Sequence, residues 1–90
     1  MGIEYDPEKN AANIAERGLS FDLVAEFDWQ GALVLEDTRR QYGETRYQAL
    51  GMIRGRLHMV VVTFREAHVR VISLRRANAR EERLYATYTR

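Results

Sequence analysis

With 90 residues the chain can build one hydrophobic core but not two, so we expect residues 1–90 to form a single domain. The absence of cysteine excludes disulfides, thiolate nucleophiles and thiolate metal ligands. No apolar run approaches the roughly 18 residues of a membrane span, and the first residues lack the basic and apolar regions of an export signal, so a cytoplasmic protein without a membrane segment is expected.

The formal net charge of +1 conceals a strong asymmetry along the chain. Residues 1–44 carry ten acidic and four basic side chains, whereas residues 45–90 carry ten arginines and three acidic side chains. Thirteen of the 14 basic residues are arginines, whose planar guanidinium binds phosphate through two hydrogen bonds. The second half therefore indicates a surface for nucleic acid; the alternative is a solvated face on which arginines pair with the acidic first half.

The first third of the chain predicts a strand followed by two helices. Residues 3–5 indicate a short strand, and Asp6-Pro7 is typical of an N-cap with proline at the first helical position. The first helix is predicted over residues 7–17 and ends at Gly18. A second helix is predicted from its cap at Ser20.

From residue 32 onward the pattern is typical of β-structure, with a final helix. Strands are predicted over residues 32–35, 46–53, 57–64 and 68–74. The last helix begins at Asn78, which has Glu81 at the spacing of a capping box. The predicted fold is α+β in the order β-α-α-β-β-β-β-α, an antiparallel sheet packed with helices.

Several enzyme classes lack their motifs here. His58 and His68 are neither spaced i, i+4 on a helix nor set beside a carboxylate cluster, so no metal site is predicted. No glycine-rich phosphate loop or G-x-S-x-G sequence is present, so no nucleotide cofactor or acyl-transfer chemistry is expected. We expect the protein to use no cofactor.

Arginines interleaved with aromatic residues are the remaining candidates for function. Aromatic rings can stack single-stranded bases while arginines hold phosphates, which is a common mode of RNA recognition. The residues predicted to bind RNA are Arg17, Arg54, Arg56, Arg70, Arg76 and Arg83.

Four motifs, taken in order, resemble the BrnT family of bacterial toxins. They are Tyr5-Asp6-Pro7-Glu8-Lys9-Asn10-Ala11-Ala12-Asn13, Gly18-Leu19-Ser20-Phe21, Gly43-Glu44-Thr45-Arg46, and Val69-Arg70-Val71-Ile72-Ser73-Leu74-Arg75-Arg76-Ala77 followed by Glu81, Glu82, Arg83 and Tyr85. The resemblance covers essentially the whole chain.

This resemblance implies a RelE-like fold and an endoribonuclease toxin of a type II toxin–antitoxin system that inhibits translation. It also implies a cognate BrnA-like antitoxin that binds DNA, so that DNA meets the toxin only through a hetero-oligomeric complex. Family members usually carry Lys-His-Gly at the end of the first helix, where this chain has Glu16-Arg17-Gly18. A histidine at that position therefore cannot transfer a proton here.

Metal-independent RNA cleavage needs a base for the 2′-hydroxyl, positive charge at phosphorus and an acid for the leaving 5′-oxygen. Arginine suits the second task because it stays protonated. The predicted charge-stabilising residues are Arg46, Arg65 and Arg75, with a surface ion pair as the alternative for each. The candidates for proton transfer are Glu44, His58, Tyr85 and Tyr88, with His68 behind them. The alternative for Glu44 is a loop salt bridge, that for His58 is a hydrogen-bonded sheet histidine, and that for the two tyrosines is helix packing.

A second function from a different class stays open. The arginine-rich half would then be a non-catalytic binding module that docks an acidic antitoxin segment and helps to repress its own operon. Trp29 is expected in the core or in contact with the antitoxin.

Overall fold

Across residues 2–89, a computed structural model of the chain contains one five-stranded sheet, two α-helices and one 3-10 helix. The elements are β1 (Gly2–Tyr5), α1 (Pro7–Arg17), the 3-10 helix (Phe21–Glu26), β2 (Leu33–Glu36), β3 (Tyr47–Ile53), β4 (Arg56–Arg65), β5 (His68–Arg76) and α2 (Ala79–Tyr88). The predicted α+β class and element order are confirmed, with a 3-10 helix as the second helix.

Local capping determines where α1 begins and ends. The Asp6 side chain accepts a hydrogen bond from the Glu8 backbone N–H at 2.9 Å, and Pro7 occupies the first turn. Gly18 adopts φ +69°, and its N–H donates to the Ile14 carbonyl at 2.8 Å. These contacts explain why α1 has the predicted bounds.

The second helix is only six residues long. Its buried side chains, Phe21 and Val24, are three residues apart, which is the spacing that a 3-10 helix aligns on one side. An α-helix would rotate Val24 away from Phe21 by a few tens of degrees, so burial of both favours the tighter turn.

The sheet has the strand order β1-β5-β4-β3-β2. Strands β2 to β5 pair antiparallel, as predicted, and β1 adds a parallel edge next to β5. Strand β4 is central and is buried from Leu57 to Thr63, because both faces of its first part are covered. A bulge between Val61 and Val62 shifts its register with β5.

The two faces of the sheet are covered differently. On one face, Val60, Val62 and Val71 pack with Phe21 and Val24 in the main core. We call this the helix-covered face, because α1 and the 3-10 helix lie over it. On the other face a smaller cluster of Leu50, Leu57 and Met59 contacts Tyr85 of α2. Beyond this cluster the second face carries polar side chains such as Thr63, Arg70 and Ser73.

Asn13, from the first of the motifs, fixes α1 to the sheet. Its Nδ2 donates to the Leu19 and Leu74 carbonyl oxygens, each at 2.9 Å, and the residue is buried. Two buried backbone acceptors are thereby satisfied by one side chain. Neither α1 nor α2 is long and apolar enough to span a membrane.

Candidate functional site

Arginines gather on the second face of the sheet, beside the part that α2 covers. In β5, Arg75 pairs with Met59 and Arg70 pairs with Thr63, positions that alternate with the core valines of β4. Arg65 at the end of β4 follows the same alternation. We call the set consisting of Arg39, Arg46, Arg65, Arg70 and Arg75 the arginine face.

The two arginines outside the strands join this face through the loop between β2 and β3. Arg46 and Arg39 line the same concavity, of about 430 Å³, as Val61 and Ser73. With its amide oxygen turned toward Arg39, Gln48 of β3 accepts hydrogen bonds from Arg39 Nε at 3.1 Å and Nη2 at 3.3 Å. The loop therefore adds two guanidinium groups to the three from the strands.

Four of the five arginines are paired with carboxylates. Arg75 Nη1 and Nη2 donate to the two Glu81 carboxylate oxygens, each at 2.8 Å. Arg65 lies 3.1 Å from Glu44 and 3.9 Å from Glu4, and Arg70 lies 3.8 Å from Glu4. The fourth, Arg39, pairs with the carboxylate of Asp37 at 2.7 Å. These pairs show that the face accepts anionic oxygens.

Arg46 is different from the other four. Among residues 2–89 it has no carboxylate within 4.0 Å, and its buried Nε has no hydrogen-bond partner. Its Cζ lies 4.2 Å from the centroid of the Tyr42 ring, a cation–π contact. A buried donor without a partner is rare in native proteins. The residue itself is half-buried and lines the concavity that Arg39 and Val61 also line, so the guanidinium borders open space although its Nε does not.

The loop that carries Arg46 is organised around Asp37, whose side chain has no exposed surface. Its Oδ1 accepts from Arg39 Nε at 2.8 Å, and its Oδ2 accepts from the Tyr42 hydroxyl at 3.1 Å. The hydrogen bonds from Arg39 hold the pKa of the Asp37 carboxyl well below its ordinary value. The group is therefore ionised at neutral pH. In the part of the chain that the structure describes, no group of three or more acidic or histidine side chains is placed to hold a metal ion.

Comparison with known families decides what kind of protein carries this face. Residues 5–81 match the profile of a family described as "Ribonuclease toxin, BrnT, of type II toxin-antitoxin system". The chain belongs to the BrnT toxin family. Its class is thus that of ribonuclease toxins with an antitoxin partner, and the matched residues include the whole arginine face and Glu81. Comparison with curated proteins finds no significant match.

Four of the residues predicted to act in catalysis come together on the arginine face of this BrnT-family chain. Arg46, Arg65 and Arg75 all belong to it, and Glu44 joins it through its 3.1 Å contact with Arg65. The Glu44 side chain is 34% exposed, so it can exchange Arg65 for another partner.

The other two, His58 and Tyr85, are held by hydrogen bonds to backbone carbonyls. His58 is 4% exposed and pairs with Gly51, on the helix-covered face, and its Nδ1 contacts the Arg56 carbonyl at 2.8 Å, which requires the proton on Nδ1. The Tyr85 hydroxyl donates to the Gly31 carbonyl at 3.0 Å beneath α2. Catalytic roles for both stay predictions. His58 lies on the opposite face of the sheet from the arginines, whereas Tyr85 lies one helical turn after Glu81, the partner of Arg75.

The residues predicted to bind RNA are also divided. Arg70 lies on the arginine face, whereas Arg17 ends α1 on the other side of the sheet, with its Nη1 3.4 Å from Asn13 Oδ1. Arg54 pairs with Glu26 of the 3-10 helix through two hydrogen bonds of 2.7 and 2.9 Å. The exposed remainder, near the β3–β4 turn and on α2, consists of Arg56, Arg76 and Arg83.

Sequence reasoning missed Asp37, Arg39 and Tyr42 of the site. The available signal was length: the connection between β2 and β3 spans residues 37–46, longer than an ordinary hairpin loop. Long loops on a rigid scaffold often carry function. An aromatic residue and two adjacent arginines in that loop strengthen the signal.

Proposed function

We propose that this chain cleaves RNA on the arginine face without a metal cofactor, and that Arg46 binds the phosphate at the cleaved bond. The observation that carries the proposal is the Arg46 guanidinium, which has no carboxylate partner among residues 2–89 and lines an open concavity beside Arg39. Positive charge aimed at a developing anion stabilises a transition state most effectively where water is partly excluded. The RelE-like assignment of the fold belongs to the same proposal, supported by a ribonuclease family and an arginine-lined sheet.

The reaction is an internal transesterification. The 2′-oxygen forms a bond to phosphorus while the bond from phosphorus to the 5′-oxygen breaks, giving a 2′,3′-cyclic phosphate and a 5′-hydroxyl. Arg46 holds a non-bridging phosphate oxygen, and Arg65 and Arg75 add charge after exchanging their own carboxylates for phosphate. These arginines supply the positive charge that a metal ion provides in other nucleases.

Glu44 accepts the proton from the 2′-hydroxyl in this scheme. It is available because phosphate binding draws Arg65 away from it, which frees the carboxylate for a proton. His58 and Tyr85 have other partners, so we assign protonation of the 5′-oxygen to solvent water, which reaches the open concavity.

An acidic segment of a BrnA-like, DNA-binding antitoxin neutralises the toxin by occupying the same arginines. The carboxylates that already pair with four of them support this, since an antitoxin carboxylate would use the same chemistry. The same ion pairs favour a second candidate, a non-catalytic module that docks an antitoxin and helps to repress an operon.

The test is an assay of antitoxin-free protein with RNA in EDTA, followed by analysis of the product ends. Cyclic-phosphate ends, and no cleavage where the reacting nucleotide is 2′-deoxy, are expected. Cleavage that returns only on addition of Mg²⁺ would refute metal independence. Intact RNA under both conditions, with tight antitoxin binding, would replace the enzyme by the binding module.

A further inference from the structure

The loop between β2 and β3 is held together by a buried charge, the carboxylate of Asp37. Asp37 accepts four hydrogen bonds: from the Arg39 backbone N–H at 3.2 Å, Arg39 Nε at 2.8 Å, Arg39 Nη2 at 2.7 Å and the Tyr42 hydroxyl at 3.1 Å. Its own N–H donates to the Arg46 carbonyl at 2.7 Å and closes the loop. Removing one partner of such a buried charge is costly, so this arrangement is strongly determined.

The Tyr42 ring is the link between Asp37 and the site. Because its hydroxyl donates to Asp37, the ring has one fixed end, and its face lies 4.2 Å from Arg46 Cζ. The hydroxyl is occupied by this bond, so Tyr42 presents its ring to Arg46. A guanidinium with no carboxylate partner would otherwise sample many rotamers.

We propose that Asp37 is a positioning residue for Arg46, acting through the hydroxyl and ring of Tyr42. The inference rests on the proposed function, in which Arg46 binds the phosphate. The tether itself concerns the RNA-free protein, in which Tyr42 and Asp37 hold the Arg46 guanidinium in place. Displacing a substrate-binding group by about 1 Å can lower the rate by roughly a hundredfold, so the tether affects cleavage from a distance.

The experiment follows the Arg46 Nε–H signal by NMR alongside RNA cleavage. Protons above an aromatic ring are shifted upfield, so the wild-type signal is expected upfield of the other arginines. Asp37→Asn removes the anion and should reduce that shift and lower kcat/KM by about tenfold or more. Tyr42→Phe keeps the ring but loses the tether, and should give a smaller reduction of both.

Asp22→Asn is the matched control. Asp22 accepts a hydrogen bond from the Tyr5 hydroxyl at 2.9 Å, a second tyrosine–aspartate pair, on the helix-covered side. This control should leave the Arg46 signal unchanged and cleavage within about twofold, because its pair does not touch the arginine face.

An unchanged Arg46 shift in a folded Asp37→Asn variant overturns the proposal. If that variant fails to fold, Tyr42→Phe decides: a reduced shift supports the tether, and a wild-type shift overturns it. A wild-type protein that has the upfield Arg46 signal but cleaves no RNA would reject the proposed function and leave the Asp37–Tyr42–Arg46 arrangement standing.

Discussion

Replacing Glu81 by Gln should lower stability and raise RNA affinity at once. Glu81 holds Arg75 through two hydrogen bonds of 2.8 Å, and its Oε1 also accepts from the Asn78 N–H at 3.0 Å in the capping box of α2. Gln can keep the capping bond, because Glu and Gln both serve at that position. The substitution therefore removes mainly the ion pair and frees Arg75 for phosphate.

The structure sets the size of the effect. The Glu81 side chain is 15% exposed and that of Arg75 is 36% exposed, so solvent screens the pair only in part. Hydrogen bonds to charged groups contribute roughly 1.5–3 kcal/mol, and screening reduces this to an expected loss of about 1–2 kcal/mol for Glu81→Gln. Glu81→Ala also removes the capping bond, for about 1 kcal/mol more. In a domain of this size each kcal/mol lowers Tm by about 4–8 °C.

The pH dependence gives an independent check. The hydrogen bonds from Arg75 lower the pKa of Glu81, so its stabilising effect is present above the ordinary carboxyl pKa of 4.5 and is lost as the pH falls and the group is protonated. The difference in unfolding free energy between wild type and Glu81→Gln should therefore shrink below about pH 4.5.

The assays are urea unfolding across this pH range and fluorescence anisotropy with a 2′-deoxy-substituted oligonucleotide that cannot be cleaved. We expect the variant to unfold at lower urea and to bind severalfold more tightly. A variant as stable as wild type, or one that binds RNA more weakly, would contradict the assignment of Glu81 as a competitor for Arg75.

Three further predictions concern packing and the remote arginines. A Cβ at Gly51 would lie 2.5 Å from Phe27 Cζ, so Gly51→Ala should cost about 1–3 kcal/mol in urea unfolding. Asn13→Ala leaves two buried carbonyl oxygens without their donor and should cost about 2–4 kcal/mol in the same assay, with binding of RNA unchanged once folded. Arg56→Ala combined with Arg76→Ala should raise KM for long RNA but leave kcat unchanged in steady-state cleavage, because these side chains lie away from the arginine face. A lower kcat would show that they take part in the chemical step.

Local signals predicted local structure well. The Asp6-Pro7 and Gly18 caps defined α1, and the Asn78–Glu81 spacing predicted the capping box that begins α2. Each of these features depends on contacts within a few residues, so the sequence contains the whole of the physical cause.

Features set by distant contacts were harder to predict. The parallel pairing of β1 with β5 joins residues more than 60 positions apart, and no local pattern specifies it. The same holds for the side of the sheet on which each arginine lies: Arg46 and Arg75 share a face, whereas Arg54 pairs with Glu26 of the 3-10 helix. The bond from the Asp37 N–H to the Arg46 carbonyl, which closes the loop, depends on the pairing of β2 with β3, whereas the ion pair of Asp37 with Arg39 is local and its signal was overlooked.

The central claim is that the guanidinium of Arg46 binds the phosphate that is cleaved. Single-turnover cleavage in EDTA by Arg46→Ala, beside Lys9→Ala as a charge control on the exposed side of α1, tests it most directly. We predict a loss of about a hundredfold or more for Arg46→Ala, a wild-type rate for Lys9→Ala and native circular dichroism for both. Cleavage by Arg46→Ala at the wild-type rate would contradict the account.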